Sequence, residues 1–192
     1  MLRIKPVVLA ILIAFFVLIP TETLKAFPKT AQDFLLLPPY CSARYGRTNE
    51  ADAARWAKII GREFWRGIHH YCSGLDLINK ANRTTNPAEK KILFGKAYGV
   101  INAYTGNVGP RWMPEVSLKK GIALAGYGDV GAAIQEFTKA IRLRPDYTQA
   151  YLALSKTYLD LGDKTKAREF LELGLEKKPN SKSIKRALSR LD

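Results

Sequence analysis

The chain has 192 residues, 47% of them hydrophobic and 25% charged, a balance that excludes a disordered chain and supplies one domain-sized core. Lysine and arginine number 31 against 17 acidic residues, a formal net charge of +14. That excess favours anionic partners such as a lipid surface, an acidic polysaccharide or an acidic protein face.

Residues 1–26 read as a secretory signal. A basic start with Arg3 and Lys5 precedes the uncharged run PVVLAILIAFFVLIP, residues 6–20. Leu24 and Ala26 then stand before a possible cut at Phe27. The run is shorter than the roughly 20 residues of a membrane span, yet Leu24 is larger than the small residue usual at its position. A cleaved signal peptide and an uncleaved signal anchor both stand. Either places the remainder outside the cytoplasm, in a bacterial periplasm, soluble or held at the inner membrane. Nucleic acid is not expected there. Cutting at Phe27 removes Arg3, Lys5, Lys25 and Glu22, so the domain itself remains basic.

Residues 27–48 read as an extended segment, because LLLPPYC at 35–41 carries two consecutive prolines. Residues 49–110 read as a helical pair. Trp56, Ile60, Phe64, Ile68, Cys72 and Leu75 recur at helical spacing over residues 50–81, with a bend expected at Gly61. After the turn NRTTNP, Pro87 suits the first turn of a second helix over 88–104. Leu93, Ala97, Val100 and Tyr104 are its expected inner face, and TGNVGPRWMP is the linker that follows.

Residues 111–181 contain a repeat. Gly128 and Gly162, Asp129 and Asp163, Ala133 and Ala167, and Pro145 and Pro179 are each 34 residues apart. Two copies result, 114–147 and 148–181, each a pair of helices joined by a Gly-Asp turn. The aspartate suits an N-cap and the proline a helix stop. Residues 182–192 read as a capping helix, with Ile184, Leu188 and Leu191 inward and Lys182, Lys185, Arg186 and Arg190 outward.

The second copy supplies Tyr151, Leu154, Ser155, Tyr158, Ala167, Leu171, Gly174 and Pro179; the first supplies Gly121, Ala133, Phe137, Ala140 and Pro145. This series of aromatic, large and small residues resembles the tetratricopeptide repeat family. The first copy departs from the pattern at Ser117 and Lys120. The resemblance implies an all-α fold, a right-handed α-solenoid of antiparallel helix pairs with a C-terminal capping helix, and makes 49–110 a degenerate repeat. It also implies a concave groove lined by the first helix of each pair, here Glu115, Leu118, Ile122, Ala125, Gln149, Leu152, Lys156 and Leu159. The Lys and Asn set that grips a peptide C-terminus in some members is missing. An apolar groove with basic edges suits an amphipathic helix or an extended apolar segment, unless the rest of the chain fills it.

The stretch GIHHYCSGL, residues 67–75, holds both histidines and one of the two cysteines. Four readings are open. An even cysteine count in an oxidising compartment favours a disulfide between Cys41 and Cys72. The alternatives are two buried free thiols, a metal site of Cys41, His69 and Cys72, and a Cys–His nucleophile. His69 and Cys72 share a helix face at this spacing, and His70 is expected to point elsewhere.

No phosphate-binding loop, dinucleotide fingerprint or nucleophile elbow is present, so the reading is non-enzymatic, with no cofactor. The expected function is an adaptor or scaffold of the cell envelope. Its expected partner is a protein or peptide of the bacterial envelope held in the groove during assembly of an envelope complex. The alternatives are a basic module for anionic polysaccharide or lipid, and a small metal- or redox-handling protein.

Overall fold

The computed structural model describes residues 27–104, 106 and 108–191. The signal-like segment 1–26 lies outside them. The described chain is all-helical. The helices are α1 (Ala31–Leu35), α2 (Pro39–Arg44), α3 (Glu50–Ile60), α4 (Arg62–Arg83), α5 (Pro87–Ala103), α6 (Met113–Tyr127), α7 (Val130–Leu143), α8 (Thr148–Asp160), α9 (Lys164–Lys177) and α10 (Lys182–Leu188). No helix among the described residues is long and apolar enough to cross a membrane.

From α4 onward each helix packs on the next, and alternate helices α4, α6, α8 and α10 also touch one another in sequence. That pattern is an α-solenoid. The helices α4, α6, α8 and α10 form its inner layer, and α5, α7 and α9 its outer layer.

Local chemistry accounts for the helix ends. The Oδ1 atoms of Asp129 and Asp163 accept from the backbone N–H of Ala132 and Lys166 at 3.1 and 2.9 Å. Gly128 and Gly162 precede them at φ +104° and +79°, a left-handed turn that a residue with a Cβ enters only under strain. Asn86 caps the Pro87 helix, and Ser181 caps α10. The repeat's small positions are close approaches between helices. A Cβ on Gly121 would fall 2.4 Å from the Phe137 ring, and one on Gly174 2.7 Å from Tyr151.

Three apolar clusters run along the stack. The first joins α1–α5 to the start of α6; the second centres on Phe137, Leu118 and Leu154; the third on Tyr151, Leu171 and Ile184. Ile60, Phe64, Ile68, Cys72 and Leu75 all lie in the first, and Trp56 packs against it.

Four details differ from the sequence expectation. Residues 27–48 are not extended, because they form α1 and α2. A reciprocal Thr30–Asp33 capping box starts α1, and Pro39 occupies the first turn of α2. Gly61 breaks the helix rather than bending it, at φ +91° and ψ 140°. On α5 the third core position is Ile101, fully buried, and Tyr104 lies outside the core, 44% exposed. Spacings of four from Leu93 and Ala97 reach Ile101. Finally, α10 stops at Leu188, although Leu191 still reaches the third cluster.

Candidate partner-binding groove

The helices present two regions of different character. One is an open cleft lined by residues of α4 to α8. The cleft, about 310 Å³, has a floor that includes Phe94, Ile122, Ala125 and Ala153, with Lys90 and Lys156 among its polar edges. Lys156 also reaches Asp160 one turn on, at 2.7 Å. The cleft is close to α5 because Gly126 lets the Phe94 ring approach; a Cβ there would lie 2.2 Å from the ring.

The other region is covered by the chain's own N-terminal segment. The Tyr40 hydroxyl of α2 donates to Glu115 Oε1 at 3.1 Å, and the Tyr71 hydroxyl of α4 donates to the same oxygen at 3.3 Å. Asn79 donates to the Leu36 carbonyl at 3.2 Å. Tyr40 packs edge-on against Trp56 and Trp112. Burial, reinforced by the Glu115 carboxylate, raises the Tyr40 and Tyr71 hydroxyls far above the usual phenol range. They remain protonated donors. The same two effects push Tyr147 up to about 12.

The expected groove residues therefore separate. Ile122, Ala125 and Lys156 line the open cleft. Glu115 sits under the covered part. Leu118 is only 4% exposed and belongs to the second core cluster, and Leu152 packs against the third. Both serve the packing between helices and not the groove wall. Gln149 and Leu159 are exposed on α8. Phe94, Asn82, Ala153 and Thr157 also line the cleft and were not anticipated. Ala153 and Thr157 neighbour Lys156 on the helix, so spacing offered a signal. Asn82 and Phe94 come from outside the regular repeats and carried none.

Cys41 and Cys72 form a disulfide with Cα atoms 5.7 Å apart, linking α2 to α4. Both are fully buried. Neither sulfur is then available as a thiolate ligand or nucleophile, which removes two of the three donors of the Cys41–His69–Cys72 arrangement. Among the described residues no group of three or more His, Cys, Asp or Glu side chains is placed to hold a metal.

The histidines depart from expectation. His70 does not point away from His69: their ring centroids are 4.0 Å apart, and His70 stacks on Tyr104 at 3.4 Å. Phe27 packs on both. Burial lowers the proton affinity of each ring, and neighbouring His70 and Arg44 lower that of His69 further. Rotation of adjacent side chains about their own bonds overrides the 100° offset of their Cα positions.

Nearby, Asp76 is fully buried, and Lys80 Nζ lies 2.5 Å from its Oδ2. Burial raises the Asp76 carboxyl against the opposing pull of Lys80. Asp33 behaves oppositely. Its burial is outweighed by hydrogen bonds from the Lys29 and Thr30 backbones, so its carboxyl stays below the usual range.

A tetratricopeptide repeat family profile matches residues 124–191. No curated protein sequence matches the chain. Among solved structures, the Sgt2 TPR domain from Aspergillus fumigatus is similar at 22% identity and a TM-score of 0.46, over 62% of this chain and 76% of that one. The first TPR of Spaghetti (RPAP3), bound to the HSP90 peptide SRMEEVD, is similar at 20% identity and 0.44, over 62% and 91%. The Hsp90 co-chaperone Cns1 from Saccharomyces cerevisiae is similar at 16% identity and 0.50; the match covers 69% of this chain and 40% of Cns1. At such identities the likeness is one of fold. Together with the 34-residue spacing and the stacked helix pairs, the profile match identifies the C-terminal part of this chain as a tetratricopeptide repeat region.

Proposed function

We propose that this protein is a non-enzymatic adaptor that holds an apolar segment of a partner protein in its open cleft. The observation that carries this reading is the cleft itself. Half-buried Ile122, Ala125 and Ala153 line it beside the buried Phe94 ring, and its edges carry Lys90 and Lys156. Apolar floor and basic edges suit a short amphipathic helix or extended segment with acidic flanks. The solved relative bound to an HSP90 peptide shows that a TPR of that kind takes a peptide; for this chain a peptide partner is our reading.

We place this work outside the cytoplasm, in a bacterial envelope. The signal-like residues 1–26 and the Cys41–Cys72 disulfide support that placement. Assembly of an envelope complex is the setting such an adaptor suits.

The test is site-directed photo-crosslinking in envelope fractions. A crosslinker at exposed Lys156 should give a discrete adduct, which Ala125→Glu abolishes. The same group at exposed Thr138, on α7, should give none. Equal adducts at both positions, or loss of the adduct on modest salt addition alone, would transfer the function to the charged surface instead. The net charge of +14 is what supports that second reading, an anionic lipid or polysaccharide surface.

A further inference from the structure

The last two helices segregate their charges. On α9, Glu169, Glu172 and Glu176 form an exposed acidic ladder at spacings of three and four. On α10 and just past its end, Lys182, Arg186 and Arg190 form an exposed basic ladder at spacings of four. Each ladder holds the outward face of its helix, opposite buried Ala167, Leu171 and Gly174 on α9 and Ile184 on α10. Among the described residues, no ion pair uses a member of either ladder. Elsewhere the helices set opposite charges at the same spacing, as Asp52 does with Arg55, Glu63 with Arg66 and Lys156 with Asp160. A capping helix needs a polar outer face, and mixed charges would supply one. Like charges one turn apart repel instead. A cation in the first turn of a helix is also unfavourable, and Lys182 stands there with no acidic neighbour in that turn. Folding alone therefore does not favour this segregation, whereas a complementary surface does.

The chain itself supplies that surface. α9 and α10 pack on one another and are joined by the short turn of residues 178–181. The acidic ladder rises about 10 Å and the basic one about 12 Å, at roughly 1.5 Å per residue. A basic ladder beside an acidic one of similar length is this same surface turned about a two-fold axis. We infer that α9 and α10 form a docking surface for a second copy of this chain. α9 of one copy lies against α10 of the other, and the reverse contact follows by symmetry. No large aliphatic or aromatic side chain of residues 164–191 is exposed, so the contact is polar, weak and reversible. The net positive charge of two copies does not prevent it. Charges farther apart than about 8 Å are screened at physiological salt, while ladder pairs meet at about 4 Å. The surface shares no residue with the open cleft, so it stands apart from the adaptor reading.

The test is co-capture of two differently tagged full-length copies at physiological salt. Wild-type copies should capture one another, and raising salt to about 0.5 M should cut capture about tenfold. Glu169→Lys with Glu172→Lys in both copies should abolish it, as should Lys182→Glu with Arg186→Glu in both. A copy with the acidic ladder reversed should still capture one with the basic ladder reversed, because both contacts regain opposite signs. Thermal melts check that each variant folds. Should a reversal unfold the chain, glutamine at the same positions replaces it, with capture expected to fall about tenfold. Wild-type copies that stay apart, capture that survives either reversal, or failure of the mixed pair overturns the proposal. Copies that stay apart while the basic ladder holds poly-glutamate would give that face to a foreign anion instead.

Discussion

The C-terminal half of the stack repeats one solution every 34 residues, whereas the N-terminal half assembles a comparable surface from unlike parts. In α6–α9 the same Gly-Asp turn, the same alanine (Ala133 and Ala167) and the same proline recur, and each pair packs on its neighbours. In residues 27–103 a 22-residue helix, two short helices and a disulfide build the first cluster. The lesson concerns where stability resides. Repeats share it among nearest-neighbour interfaces, so damage there spreads along the stack. The N-terminal unit concentrates it in single features, so damage there stays local.

Four experiments break or sharpen that contrast, from the largest effect to the smallest. Phe137→Ala removes a side chain 1% exposed that also fills the space over Gly121. A loss of about 3–5 kcal/mol is expected, with α6–α9 unfolding together in a denaturant titration. Loss confined to α7 would contradict shared stability. Cys41→Ser with Cys72→Ser opens a loop of 31 residues' separation. The chain-entropy model gives a cost of about 3–4 kcal/mol, but exchange should localise it to residues 31–44.

Next in size is Asp129→Ala beside Asp163→Ala. Each removes one N-cap at an exposed turn, worth about 1 kcal/mol in either copy. Near-equal losses in thermal melts are the signature of a true repeat; a large difference would show that the copies are not equivalent.

The smallest effect is one of pH. His69 and His70 bind protons less readily folded than unfolded. The unfolded chain therefore takes up more protons as pH falls below the ordinary histidine value of about 6.5. Their contribution to stability is present above that value and lost as pH falls through the depressed folded pKa. The melting temperature should drop from pH 7.5 towards 5.5, in roughly that window. His70→Phe, which keeps a ring on Tyr104, should flatten the drop. A slope that survives in the variant would assign the titration elsewhere, with Asp33 contributing its own loss only at lower pH.

The fold was largely legible because repetition exposes it. Period, turn and caps are local chemistry, and four independent positions agree on one spacing. The open cleft was legible in part. Ile122, Ala125 and Lys156 line it, but Leu118 and Leu152 face the packing between helices, because a one-helix assignment of faces ignores the neighbour on each side. The capping box at Thr30 and Asp33 was also readable and outweighs the prolines, which end α1 and start α2 without keeping the segment extended.

By itself the sequence determined the helical class, the two repeats, the capped turns and the inner stripe from Ile60 to Leu75. Each follows from spacing along one chain segment and the propensities of its residues. Only the tertiary structure decided that Tyr40 and Tyr71 meet on Glu115, that the histidine rings come together against Phe27 and Tyr104, and that the N-terminal segment packs on α4 and reaches α6. Those contacts join residues 34 to 75 positions apart or depend on side-chain rotation. No periodicity encodes them, because they arise where separately formed helices settle against one another.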